Sequence, residues 1–271
     1  MKKIIALALA AILALACLTA CQSSGAQSGG ENQEPKTVVV GYTIYEPMNY
    51  KDESGKLVGY DTELAEAVFG ALGYKVMFQL IDWNSKYTDL NSGTIDCVWN
   101  GFTCNTADDD GVMRAEKVDF SYNYMENRQV IVAKAGSGIA SAADLNGKTA
   151  AAEAGSAGQS YAEGFEGVTV KTFSYQTDCL FEVKSGTVDF CVLDAQLAKS
   201  YCGKGDYAEL AIVEDLSSDV EYYAIGFKKG SELTAKVNEQ LEKLAADGTI
   251  AKLAEKYGVS NTAITDFADQ K

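Results

Sequence analysis

Two five-residue stretches carry the same residue types in the same order, and each hands the chain to a short apolar run that ends in polar groups. Ser92-Gly93-Thr94-Ile95-Asp96 leads through Cys97-Val98-Trp99 to Asn100-Gly101-Phe102-Thr103. Ser185-Gly186-Thr187-Val188-Asp189 leads through Phe190-Cys191-Val192-Leu193 to the carboxylate of Asp194. A third stretch, Glu153-Ala154-Gly155-Ser156-Ala157-Gly158, is a Gly/Ser loop feeding a predicted helix. Free backbone N–H groups and the positive end of a helix dipole suit such a loop to a carboxylate or phosphate. Neither Gly-x-Gly-x-x-Gly nor the Gly-Lys-Ser/Thr of phosphate loops is present, so nucleotide binding has weak support.

The chain has no histidine. That excludes Ser-His-Asp and Cys-His catalysis and any His-ligated zinc. General acid–base work would fall to Glu153, Asp194 or a lysine, and none of these forms an evident pair. Past Cys21 the cysteines are Cys97, Cys104, Cys179, Cys191 and Cys202, with no Cys-x-x-Cys among them, so no zinc ribbon or redox motif is indicated. Cys97 and Cys191 fall in predicted buried strands and read as small hydrophobes, while a Cys97–Cys104 disulfide stays open. Asp108-Asp109-Asp110-Gly111 lacks the spacing of a calcium loop and reads as a solvated surface turn. No metal or cofactor is expected.

The elements that position these groups follow from the pattern. Each repeated stretch reads as a helix end, a Gly stop and a buried parallel strand. Thr37 to Tyr42 is a β-branched strand opening into a loop with Tyr45. A helix follows from Asp61, with Asp61 or Thr62 as N-cap and Leu64, Ala65, Val68, Phe69 and Leu72 on one face. Tyr74 to Leu80 returns as a strand, completing a βαβ unit. The chain ends in two helices, Ser231 to Asp247 and Thr249 to Tyr257, which most simply pack back on the first lobe. Ligands of open α/β sheets gather at the carboxyl ends of strands. Two similar lobes presenting polar groups from the same topological place predict a cleft between them.

The 271 residues are 47% hydrophobic and 23% charged, enough for one large domain or two smaller ones, and carry a net charge of −15 to which the first 20 residues contribute only Lys2 and Lys3. An acidic body is a poor partner for nucleic acid. Lys2-Lys3, the apolar stretch Ile4 to Leu18 and Leu18-Thr19-Ala20-Cys21 read as a signal peptide over residues 1–20. The last four residues resemble the lipobox of bacterial lipoproteins, with Cys21 as the lipidated residue; Cys17, after Ala14-Leu15-Ala16, matches less well. Residues 21–36 then form a flexible Ser/Gly/Gln/Glu tether.

Taken together, the sequence resembles the bacterial extracellular solute-binding proteins of family 3, the polar amino-acid receptors of ABC importers, over nearly all of residues 37 to 258. The resemblance rests on Val58-Gly59-Tyr60-Asp61, the two Ser-Gly-Thr-x-Asp strands, Arg114 to Phe120 followed by Ser121, Leu145-Asn146-Gly147-Lys148, Ala154-Gly155-Ser156 and Asp247-Gly248-Thr249-Ile250. It implies two Rossmann-like α/β lobes joined by a two-crossing hinge, as in type II periplasmic binding proteins. Lobe 1 would comprise 37–127 plus 223–271 and lobe 2 would comprise 128–222. It further implies that a free amino acid is held by its carboxylate at Arg114, at the backbone of Asn100, Gly101 and Thr103, and at Ser156 and Ala157. Its ammonium would sit at Asp194, with Tyr45 and Trp83 as aromatic walls. The chemistry agrees, since a guanidinium fork matches a carboxylate and a lone carboxylate matches an ammonium. The segment Asn105 to Met113 is longer than the family usually has. The expected partners are the permease subunits of an importer and, through Cys21, a membrane; a monomer is expected. Glu153 could favour a cationic ligand side chain, whereas Trp83, Trp99, Asn100 and Tyr42 could wall a polar or aromatic one. A dehydratase-like enzyme on the same fold and a ligand-sensing module are the alternatives.

Overall fold

A computed structural model describes residues 35–270; the expected signal segment, Cys21 and the tether up to residue 34 lie outside the described residues. Two five-stranded sheets are built on one plan. In the first, the order is Lys75–Leu80, Thr37–Tyr42, Cys97–Val98, Gly226–Phe227, Asp119–Phe120. In the second it is Thr169–Phe173, Thr149–Glu153, Phe190–Asp194, Gln129–Lys134, Leu210–Ser217. Three neighbouring strands run parallel in each, and the fourth in order is antiparallel to the third.

Both repeated stretches feed the central strand of their sheet, and their side chains explain why. Gly93 and Gly186 end the preceding helices at φ 77° and 81°, a conformation that costs glycine little. Asp96 Oδ2 then accepts the backbone N–H of Val39 at 2.7 Å, and Asp189 Oδ2 accepts that of Thr149 at 2.8 Å. Each acid therefore locks its strand in register against the neighbouring parallel strand. The expected parallel pairing holds on that flank only, because the other flank takes an antiparallel strand.

Between the sheets the chain passes twice. Met125–Asn127 runs on into Gln129–Lys134, and Leu210–Ser217 returns through Glu221–Tyr223; these two short segments pair antiparallel, Glu221 opposite Asn127 and Tyr223 opposite Met125. The first helix, Tyr60–Ala71, buries Leu64, Ala65, Val68 and Phe69 as its periodicity requires. Its N-cap is Gly59, at φ 134°, rather than Asp61 or Thr62. The last two helices, Leu233–Ala246 and Thr249–Lys256, pack against it. Lys256 Nζ and the Tyr257 hydroxyl both donate to Glu63, at 2.6 Å each. Among the described residues all five cysteines are free thiols, so no Cys97–Cys104 bridge forms. No helix there is long and apolar enough to cross a membrane.

Candidate functional site

The carboxyl ends of the strands meet at one small, nearly filled pocket lined by groups from both sheets. Trp83, Asn100, Gly101, Thr103 and Arg114 come from the first side, and Glu153, Ser156, Ala157, Gln176 and Asp194 from the second. Eight of the nine residues singled out from the sequence are therefore brought together. Tyr45 is not among them.

Arg114 opens a single helical turn, Arg114–Lys117, and is only 1% exposed. Its Nε–H donates to Asp108 Oδ1 at 2.8 Å, Nη1 to the Thr103 carbonyl at 3.2 Å, and Nη2 to the Gly155 carbonyl at 3.2 Å. A guanidinium has five N–H donors, so two remain for a ligand. Asp108 is not a solvated turn residue: it also takes Lys117 Nζ at 2.8 Å and the Tyr87 hydroxyl at 2.6 Å. Burial raises its pKa, but the Arg114 charge and the hydrogen bonds from Lys117, Tyr87 and Arg114 outweigh that and hold it at about 2.

Thr103 forms an isolated bridge with Tyr223, in which the neighbouring Cys104 and Ala224 N–H groups make the ladder bonds. Its own N–H and carbonyl therefore face the other way. The carbonyl meets Arg114, and the N–H beside it has no acceptor among the described residues. Gly101 is different. Its N–H is already taken by Asp61 Oδ2 at 2.9 Å, and Asp61 also accepts from the Tyr124 hydroxyl at 2.8 Å. Full burial pushes the Asp61 pKa up to about 7, against those two hydrogen bonds. The Asn100 side chain is likewise spent, on Thr43 and on Asn49, so only its backbone faces the pocket.

Asp194 occupies the N-cap position of the helix Ala195–Tyr201 but makes no capping bond. Its carboxylate is instead gripped by side-chain amides. Oδ1 accepts from Asn127 at 2.7 Å and Gln129 at 2.6 Å, and Oδ2 from Gln176 at 2.5 Å. Burial raises its pKa, against Gln176, Gln129, Tyr223 and Asn127, which hold it down. The same Gln129 amide donates to Glu221 at 2.9 Å, and Glu221 accepts from the Thr103 hydroxyl at 3.2 Å, so the paired crossing segments connect Asp194 to the first sheet's side of the pocket. Tyr45, buried in the core, bonds hydroxyl to hydroxyl with Tyr223 at 2.7 Å. It is the far end of a chain leading to Asp194, not a wall.

Trp83 does line the pocket, its ring edge-on to Phe102 at 5.1 Å. Trp99 and Tyr42 do not: Trp99 packs on Phe69 and Tyr124, and Tyr42 on Phe78. Ser156 caps the helix Ala157–Glu163 through its hydroxyl, which accepts from Gln159 N–H at 3.0 Å. Lys86 is 2% exposed; its ammonium donates to the carbonyls of Gly155 at 3.0 Å and Trp83 at 3.3 Å and lies over the rings of Tyr87 and Trp83. Burial first, then the neighbouring Arg114 charge, lowers its pKa to about 7. Lys86, Gln176, Gln129, Asn127, Glu221 and Asp61 carried no signal that tied them to the pocket in the sequence, since each residue type is common on a solvated helix or strand.

The arrangement presents a buried cation and a buried carboxyl group on opposite sides of a small cleft, with the Thr103 N–H beside the cation. Comparison with known proteins gives the family. Residues 38–260 match the family described as bacterial extracellular solute-binding proteins, family 3. The arginine-binding extracellular protein ArtP of Bacillus subtilis is 34% identical over 260 residues, 95% of this chain and 98% of ArtP. The L-cystine-binding protein TcyA of the same organism is 30% identical over 271 residues, 95% and 97% of the two chains. The solved structure of an ancestral arginine-binding protein bound to arginine superposes with a TM-score of 0.74 at 37% identity, covering 82% of this chain and 97% of that one. The chain belongs to family 3 of the bacterial extracellular solute-binding proteins.

Proposed function

We propose that this member of family 3 is an extracytoplasmic receptor that captures a free amino acid between its two lobes and delivers it to the permease of an ABC importer. The observation that carries the reading is the pairing of Arg114 with Asp194 across one pocket. The ligand α-carboxylate is taken by the two unused Arg114 N–H groups and the Thr103 N–H, with Ser156 and Ala157 closing over it from the other lobe. The α-ammonium is taken by Asp194. Charged hydrogen bonds of this kind are the strong ones, and the buried setting weakens screening. The Gly101 N–H and the Asn100 side chain are committed within the lobe, so Asn100 meets the ligand through its backbone alone.

Lobe 1 comprises 37–127 with 223–271 and lobe 2 comprises 128–222, with the two crossing segments as the hinge about which the cleft opens and closes. The signal-like segment 1–20 and the lipobox-like Leu18 to Cys21 support export and anchoring through a lipid on Cys21. Cys21→Ser should then release the protein from the membrane fraction, and retention there would remove the anchor. A receptor is favoured over an enzyme on this fold because the relatives matched over nearly their whole length are named as binding proteins and Asp194 is fixed by amides. A thermal-shift screen against the common amino acids and cystine tests the reading. At 1,000 times Kd a ligand adds about 4 kcal/mol, a rise of roughly 10 °C for a body of this size. No shift with any amino acid would overturn it.

A further inference from the structure

We infer that the pocket selects amino acids whose side chain ends in a positive charge, with Glu153 as the specificity-determining residue that takes that charge; this rests on the reading of the cleft as an α-amino-acid site. Three charged side chains line the pocket, namely Arg114, Asp194 and Glu153. A zwitterion answers the first two and leaves the third. Glu153 ends the strand Thr149–Glu153, is 3% exposed, and its Oε1 is fully buried without a hydrogen-bond partner among the described residues. A buried carboxylate oxygen without a partner costs far more than one that is bonded. A ligand that supplies a charged donor there recovers that cost.

The neighbouring groups do not supply it. Lys86, the nearest other cation, directs its ammonium at the Gly155 and Trp83 carbonyls and over aromatic rings, and forms no ion pair with Glu153 among the described residues. Glu221, the other buried acid of the network, already accepts from Gln129 and Thr103. Trp83 adds an apolar face to the same pocket, suited to the methylenes of a long side chain. The result is a second carboxyl group lining the pocket, besides the one that meets the ammonium, with an oxygen left for the ligand side chain.

L-arginine and L-citrulline separate the claim, because they differ by a guanidinium against a neutral urea of nearly the same shape; L-lysine and L-norleucine form a second pair. By titration calorimetry the wild type should bind arginine at least about 30-fold tighter than citrulline, and in Glu153→Gln that ratio should fall to about threefold or less. The wild-type ratios alone decide the matter if Glu153→Gln fails to fold. Equal or tighter binding of citrulline, or a full arginine preference surviving in Glu153→Gln, would overturn the inference. Should neutral amino acids bind with the same dependence on Arg114 and Asp194, only the selectivity claim falls. If no α-amino acid binds at all, the receptor reading falls with it.

Discussion

The Gly155 carbonyl accepts from Arg114 Nη2 at 3.2 Å and from Lys86 Nζ at 3.0 Å, so two cations of one lobe converge on a single oxygen of the other. Direct bonds of this kind tie the two sides of the pocket together. Lys86→Met removes one of them, and the ligand-free protein should then show a larger radius of gyration in small-angle scattering than the wild type. With saturating ligand the two should coincide. Identical ligand-free curves would mean that Lys86 has no part in closure.

Asp108 grips the Arg114 guanidinium from outside the pocket, and Asp108→Asn should leave that side chain free to turn away. Ligand affinity should fall by about tenfold, a little over 1 kcal/mol. The pH dependence follows from its lowered pKa. A depressed carboxyl contributes stability above its unfolded value of about 3.8 and loses it as pH falls through about 2. The difference in melting temperature between the wild type and Asp108→Asn should therefore shrink on acidification from pH 4 towards 2.

Asp61 titrates in the opposite sense. Its folded pKa, about 7, lies above the unfolded value, so its contribution is full below about pH 4 and is lost as pH rises through 7. Asp61→Asn keeps an acceptor for the Gly101 N–H and the Tyr124 hydroxyl but cannot ionise. It should flatten the stability profile between about pH 4 and 7 and gain on the wild type at pH 8, as chemical denaturation would reveal.

Gly59 is the residue on which the entry to the first helix turns. A Cβ there would sit 2.0 Å from the Met48 carbonyl oxygen, and the backbone is at φ +134°. Gly59→Ala should cost about 3 kcal/mol or more, read as a drop in the denaturation midpoint.

Much of this was legible in the sequence, for reasons visible in particular residues. The repeated Ser-Gly-Thr-x-Asp stretches signalled themselves because Gly93 and Gly186 must end helices and Asp96 and Asp189 must meet a strand N–H. They led directly to Asn100 and Asp194 at the pocket. Asp61 and Thr62 stand where a helix cap is expected, because such residues at a helix start most often are caps; only the fold reveals that the Asp61 carboxylate turns inward to Gly101. Lys86 sits in a stretch that looks like an exposed helix start, yet burial against Trp83 and Tyr87 takes it into the cleft. The amides of Asn127, Gln129 and Gln176 converge on Asp194 from three separate elements, and nothing local marks them. Tyr45 is set by its hydroxyl contact with Tyr223, which lies 178 residues away in the chain.

The most direct test of the zwitterion clamp is calorimetric titration of Asp194→Asn with the amino acid that stabilises the wild type most, alongside its N-acetyl derivative on the wild type and with circular dichroism as the folding control. Removing one partner of a desolvated charge pair typically costs about 2 to 5 kcal/mol, so both the mutation and the acetylation should weaken binding by roughly 30-fold or more, as should Arg114→Ala. Near wild-type affinity in a folded Asp194→Asn would contradict the account.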